Sequence, residues 1–420
     1  MFAGPRRQLS LLDRAPAFRA LFLATTASGL GTWLAVIALT VDVYDRTHSA
    51  KLVSALLIAD FLPSVVIGLA FAPLVDRFSR WRLMVGSDLV SMLVFVALIF
   101  AGTPGQIVAL ATVAGFAAGF FRPASMAGLP NVVEDSDLPA ANSLLRSTAY
   151  MTVIFGTLLG GIVVSASGPH VSYAVNAVSF AISALLLATI PADSLDSKDD
   201  GHESAGYLAE LKEGFTLVFR SRVLLAVFIS WNLVMLTNAG VNVGEIFLAK
   251  VSFGSGDFGY AMLWVGVGVG QVIGALYAAT WLEHRNVSFV YGASLALVAF
   301  GTLAAAVAPD VWVAALAMVV GGAGNGTAIV CNTLLVQRGA PDRLRGRAFT
   351  TIMSVNFALL GVGMALAGPL IDAVGARWVF ACAGILAAVA AAVGSAMTRR
   401  VGAMSDVAAS SSEPAPSPTS

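Results

Sequence analysis

Twelve stretches of this chain are each long and apolar enough to cross a lipid bilayer, and no other feature limits its fold as tightly. Inside hydrocarbon every backbone N–H and C=O must find a partner within the chain, so a span of about 20 apolar residues is a helix. The stretches are placed at 18–44, 51–75, 83–102, 105–128, 143–166, 170–190, 223–250, 258–282, 287–307, 311–336, 347–373 and 377–398. Composition agrees. Of 420 residues 58% are hydrophobic and 11% charged, where soluble domains carry about 25% charged residues. The first apolar run continues past Val41, too long for a signal peptide, so it is read as a retained helix. The fold class is an all-α membrane protein.

The joints between spans carry the orientation. The stretch Asp76-Arg77-Phe78-Ser79-Arg80-Trp81-Arg82 puts four charges in seven residues between two apolar runs. A charge at the bilayer centre costs about 2.5–3.5 kcal/mol or more, so this joint is a tight surface loop. With both termini inside, Arg46, Lys51, Lys250 and Arg377 fall outside, Arg122 lies within the fourth span, and the other nineteen Lys and Arg residues fall inside. That asymmetry places the basic joints and both termini in the cytoplasm, in an inner or plasma membrane.

Residues 191–222 form the longest polar stretch between spans. Within it Tyr207, Leu208, Leu211, Phe215, Val218 and Phe219 recur at helical spacing, the pattern of an amphipathic helix on the inner membrane surface. This divides the chain into a bundle at 1–190, a linker at 191–222, a second bundle at 223–400 and a Ser/Ala/Pro-rich tail at 401–420, expected to be disordered. The halves repeat: Gly156, Gly161, Ala166 and Gly168 match Gly363, Gly368, Ala373 and Gly375 at a constant offset of 207. Internal repeats are expected of transporters built from two rocking bundles.

Several chemistries find no residues here. Cys331 and Cys382 sit in apolar runs and read as core residues, neither disulfide nor metal pair. His48, His170, His202 and His284 fall in predicted loops, which leaves no buried histidine relay. Gly266, Gly270 and Gly274, with Gly268 between them, lie inside a span with no preceding strand, so they signal close helix packing and not a dinucleotide loop. No P-loop, catalytic cluster or cofactor motif is present. Formal net charge is zero, which gives nucleic acid no electrostatic footing. The chain is not expected to be an enzyme.

The order Asp76-Arg77-x-x-Arg80-x-Arg82 resembles the loop between the second and third helices of the major facilitator superfamily, with Ala72 and Ser79 in place of two glycines. Phe120-Phe121-Arg122-Pro123-Ala124, Leu138-Pro139-Ala140-Ala141-Asn142 and Pro341-Asp342-Arg343-Leu344-Arg345-Gly346-Arg347 are similar to the branch that holds macrolide, siderophore and lysophospholipid transporters. Gly156-Thr157-Leu158-Leu159-Gly160-Gly161 is similar to an element of the family's antiporters, with Thr157 in place of proline. The resemblance implies two six-helix bundles around a central cavity and alternating access. It also implies a monomer that exports an amphiphilic small molecule, such as a drug or secondary metabolite, by proton antiport. A siderophore exporter or lysophospholipid transporter is the alternative. A polytopic enzyme or receptor would need a catalytic set or a sizeable soluble domain.

Candidate residues follow. In the loop, Asp76 is placed to cap the N-terminal end of the eleventh span near Arg347, a contact worth about 0.3–1 kcal/mol when exposed; Arg77 and Arg80 serve this gate or only fix topology. Asp88 and Arg122 lie at similar depth and are expected to pair. Ionisable groups inside spans are functional candidates by default. Asp60, the deepest acid, is either a proton carrier or a structural hydrogen-bond partner. Glu245 is either a second proton site or a solvated group of an outer vestibule, and Asp42 and Asp45 are expected to be wet at the outer mouth. Thr32 stands where the resemblance leads one to look for an acid. Trp33, Asn176, Trp231, Asn232, Asn238, Asn242, Gln271, Asn332 and Asn356 are expected to line the cavity, or to bond between helices.

Overall fold

The computed structural model describes residues 10–70, 78–195 and 207–410. Twelve helices in it are long and apolar enough to span a membrane: α1 Pro16–Thr47, α2 Ala50–Ala70, α3 Arg80–Ile99, α4 Pro104–Val132, α5 Leu138–Ser167, α6 Pro169–Ala188, α7 Arg222–Phe247, α8 Gly256–His284, α9 Val287–Val307, α10 Val311–Gly339, α11 Arg345–Val374 and α12 Ala376–Ser410. A separate linker helix, Tyr207–Arg220, lies where the amphipathic pattern put it. No β-strand occurs among the described residues.

Local chemistry sets the ends. Thr103 and Gln106 form a reciprocal capping box at the start of α4, satisfying two amides that no carbonyl precedes. Asp310 accepts from the amides of Trp312 and Val313 at 2.8 and 3.0 Å to open α10. Gly168 (φ +76°) and Gly375 (φ +85°) turn the chain between α5 and α6 and between α11 and α12. Their amides donate to Val164 and Ile371, and only glycine adopts this backbone without strain. The 207-residue repeat is therefore a repeat of backbone geometry as well as of letters. The helix α12 continues to Ser410, ten residues past the expected end of the second bundle.

The first six helices pack among themselves, as do the last six, and α2–α11 and α5–α8 are the main contacts between the two halves. Small residues permit the close crossings. Gly266, Gly270 and Gly274 of α8 rest on the backbone at Ala315, Val319 and Ala323 of α10, and Gly322 and Gly326 return the contact at Val267 and Gln271. Across the halves, Gly368 meets Ala50, Lys51 and Ser54, and Gly161 meets Ala261.

The apolar cores are distributed asymmetrically. At the end away from the linker, one core takes residues from both halves, including Val43, Tyr44 and Leu56 with Ile246, Phe247 and Tyr260. At the linker end there are two separate cores, one from each half. The halves are thus sealed together at the far end and parted at the linker end. Cys331 is buried as expected, but Cys382 is exposed on the outer face of α12.

Candidate functional site: a charged cavity between two bundles

The parting of the halves leaves a cavity of about 630 Å³. Its inner limit is Trp33 of α1 against Trp264 of α8, ring centroids 5.6 Å apart. Trp33 can reach there because Gly156 and Gly160 of α5 let α1 approach closely. Thr32 also faces the cavity, although its hydroxyl donates to the Ser28 carbonyl at 2.7 Å.

Four acidic or basic residues line the walls: Asp60, Asp88, Arg122 and Arg146. Asp60 is half-buried on α2, one turn before Pro63. Gly115 of α4 sits directly against the Asp60 backbone, so α2 and α4 hold this acid rigidly. Its charged neighbour is Arg122 of α4, whose side chain is exposed to the cavity. The expected Asp88–Arg122 pair is therefore not formed. Asp88 is 2% exposed and faces Ser183 of α6, without a hydrogen bond of good geometry to its Oδ2. The reason is helical phase: the residues share a depth but not a direction. Arg146 of α5, read from sequence only as part of a basic joint, also points into the cavity. Its signal was visible as a cation inside an apolar run.

Of the nine residues expected to line the cavity, Trp33 and Gln271 do so. Asn176 is fully buried between α6 and α1, its Oδ1 accepting from Ser179 at 2.9 Å beneath Gly31. Asn232 donates to the Phe228 carbonyl at 2.7 Å, and Trp231 packs in the linker-end core of the second half. Asn332 and Asn356 are buried with amide atoms unpartnered. Asn238 and Asn242 are half-buried outside the cavity lining. Apart from Asn176 of the first half, these asparagines are interior groups of the second half, and Asn176, Asn232 and Asn356 bond within their own helices and not between helices.

Two acids lie where solvent was expected and is not. Asp42 is 5% exposed, accepting from Arg46 at 2.6 Å and from the Tyr173 hydroxyl at 2.8 Å. Glu245 is 1% exposed, its Oε2 without a hydrogen bond, near the Tyr260 hydroxyl, which lies beside Thr40 and Trp264. The far-end seal closes over the vestibule in which it was expected to be wet. Asp45, in contrast, is exposed as expected, yet it belongs to a latch that sequence reading missed. Lys250 reaches Asp45 across the halves at 2.5 Å and Asp257 at 2.6 Å, lying 5.0 Å above the Tyr44 ring. A π-helical turn, Leu248–Ser252, aims this lysine, a distortion common at functional positions. Asp372 of α11 accepts from the Ala50 amide at 3.0 Å, capping α2 across the same seam.

At the linker end, Arg80 donates to the carbonyls of Ala127 and Leu195 at 3.0 and 3.2 Å. Arg347 bonds Glu213 of the linker helix, a partner the sequence reading did not foresee. Asp76 and Arg77 lie outside the described residues. No cluster of His, Cys, Asp or Glu suited to a metal occurs among the described residues.

Two helical bundles of membrane-spanning length, parted around a charged central cavity, have the architecture of a membrane transporter. A family profile for the Major Facilitator Superfamily matches residues 21–358; the chain belongs to that family. It is 28% identical over 382 residues to the multidrug efflux pump Tap of Mycolicibacterium fortuitum, covering 87% of this chain and 92% of that one. It is 26% identical over 377 residues to the uncharacterized MFS-type transporter YfiS of Bacillus subtilis, covering 87% and 89%. The putative bacilysin exporter BacE of Bacillus amyloliquefaciens is 25% identical over 313 residues, covering 73% and 76%. Among solved structures, a bacterial homolog of the human lysosomal transporter Spinster superposes with a TM-score of 0.71 at 12% identity, covering 92% of this chain and 97% of that one. A POT family transporter reaches 0.74 at 11% identity, covering 90% and 95%.

Proposed function

We propose that this transporter exports an amphiphilic small molecule by alternating access, exchanging it for protons. The observation that carries the reading is the cavity: open at the linker end, sealed at the far end, apolar at its aromatic limit and charged along one wall. Lys and Arg are concentrated at the linker end, which makes that end cytoplasmic together with both termini. The chain then sits in the cell's inner or plasma membrane, here inward-open, and works as a monomer. The names of the relatives, an efflux pump and a putative exporter, favour outward movement of cargo.

Asp60 is the proton carrier. It faces the cavity, and its neighbour Arg122 supplies a counter-charge when the proton leaves. Glu245, enclosed by the far-end seal, is the second proton site, reachable from outside only when that seal parts. The loop with Asp76, Arg77 and Arg80 gates the cytoplasmic side, where Arg347 holds the linker helix to α11. Asp88 supports the wall beside it.

The test is Asp60→Asn, which mimics the loaded, neutral carboxyl permanently. In membrane vesicles with an imposed pH gradient the variant is expected to lose concentrative transport, while substrate counterflow without a gradient persists. Undiminished accumulation would remove Asp60 from the coupling and make Glu245 the next variant.

A further inference from the structure

The charges of the cavity are divided unequally between its walls. Asp60, Asp88, Arg122 and Arg146 all belong to the first half, while the second half contributes only uncharged groups such as Trp264, Val267 and Gln271. Asp88 is sunk into the wall. An occupant therefore meets three charges: two exposed guanidiniums and one half-buried carboxylate.

Their depths differ. Asp60 lies ten residues from the far end of α2, about 15 Å along the helix. Arg122 lies eighteen residues from the far end of α4, and Arg146 twenty-one from the far end of α5, about 27 and 32 Å respectively. The carboxylate is thus the deeper group, and the arginines stand between it and the opening. A guanidinium remains charged at any physiological pH. Neither arginine has a salt bridge or hydrogen bond to another described residue, although Asp60 lies within electrostatic range of Arg122.

A cargo of net charge disturbs this balance. A purely cationic cargo at Asp60 takes up the one carboxylate near Arg122 and leaves both guanidiniums without a counter-charge. A purely anionic cargo faces the Asp60 carboxylate. Either leaves a charged group of the wall facing its own sign with no partner of opposite sign from the cargo, the guanidiniums in the first case and the half-buried carboxylate in the second, and an unpaired charge away from bulk water is expensive. A molecule carrying both signs exchanges partners instead, and the sum of charge is unchanged. We propose that the cargo is a zwitterionic amphiphile. Its cationic group takes Asp60, its acidic group takes Arg122 and Arg146, and its apolar body rests on Trp33 and Trp264. The inference rests on the efflux reading for the identity of this cavity as the cargo site. It also deepens that reading, because a proton and the cationic group of the cargo then compete for one carboxylate, which is what exchange requires.

The experiment uses four probes with one apolar body: 1-naphthylalanine (zwitterion), its N-acetyl derivative (anion), its methyl ester (cation) and the N-acetyl methyl ester (neutral). Binding to the purified full chain is measured by equilibrium dialysis, with no gradient and no transport. The zwitterion is expected to bind at least tenfold more tightly than each of the others. Arg122→Gln is expected to weaken binding of the zwitterion and to tighten that of the ester, so that the two affinities converge, and Arg122→Lys to restore part of the difference. An ester or an N-acetyl derivative as tight as the zwitterion overturns the proposal in favour of a cationic or an anionic cargo, and four equal affinities overturn it in favour of apolar recognition alone. Preferential binding of the zwitterion, combined with failure of a pH gradient to drive its movement in vesicles, upholds the charge assignment and removes the exchange reading.

Discussion

At the scale of single residues, the letters located the unusual groups better than they located the partners. Asp60, Asp88, Arg122 and Glu245 stand out as charges inside apolar runs, and all four lie in helices long and apolar enough to cross a membrane. Their partners depend on helical phase and tilt, which composition does not encode. Arg122 therefore faces Asp60 and not Asp88, and Glu245 is enclosed and not wet. The glycines were more legible, since a residue without a side chain inside a span has few uses besides close approach. Gly270 is the sharpest case: a Cβ there collides with the backbone at Val319 and Ala323, which cannot step aside as a side chain can. Gly361 on α11 has open space around it. We expect Gly270→Ala to cost about 1–3 kcal/mol, as overpacking does, and Gly361→Ala to be neutral or slightly stabilising. Thermal unfolding of the two purified variants side by side tests this, and equal melting temperatures would contradict the α8–α10 packing.

At the scale of elements, all twelve spans and the linker helix were legible, because apolar length and helical periodicity are one-dimensional signals. Pairings across the bundle were not. The far-end latch joins Asp45 to Lys250 and Asp257, groups some 200 residues apart in sequence that look like ordinary surface charges. A partly exposed ion pair is worth about 1 kcal/mol or less. Such a latch cannot hold the halves together alone, but it can tilt a balanced equilibrium by roughly fivefold. Lys250→Gln is therefore expected to shift the population toward the state open at the far end. Spin labels at Ser49 and Val251 should report a longer distance in the variant than in the parent. An unchanged distance distribution would reduce the latch to a surface contact.

At the scale of the molecule, the sequence distinguishes two ends through the placement of Lys and Arg, and the structure distinguishes the same two ends through its cores. Accessibility connects them. With Cys382 replaced by serine, a cysteine at Gly102, between α3 and α4, should react with an impermeant reagent on intact cells. One at Arg285, between α8 and α9, should react only after permeabilisation; the opposite result would invert the assignment of the cytoplasmic face. The open conformation itself was beyond sequence reading, since the same residues must serve both states of the cycle. The far-end core has one more consequence. Many of the residues that meet there, such as Ala35, Ala38, Ala239, Ala249 and Ala261, have side chains of a single methyl group. Burying apolar surface contributes only about 25 cal/mol per Å², so a seam of methyl groups adheres weakly for its length. It behaves less like a weld than like a zip fastener with small teeth. A transition between the two states needs about 5.5 kcal/mol to reverse a hundredfold preference, within reach of a proton and a bound cargo acting together.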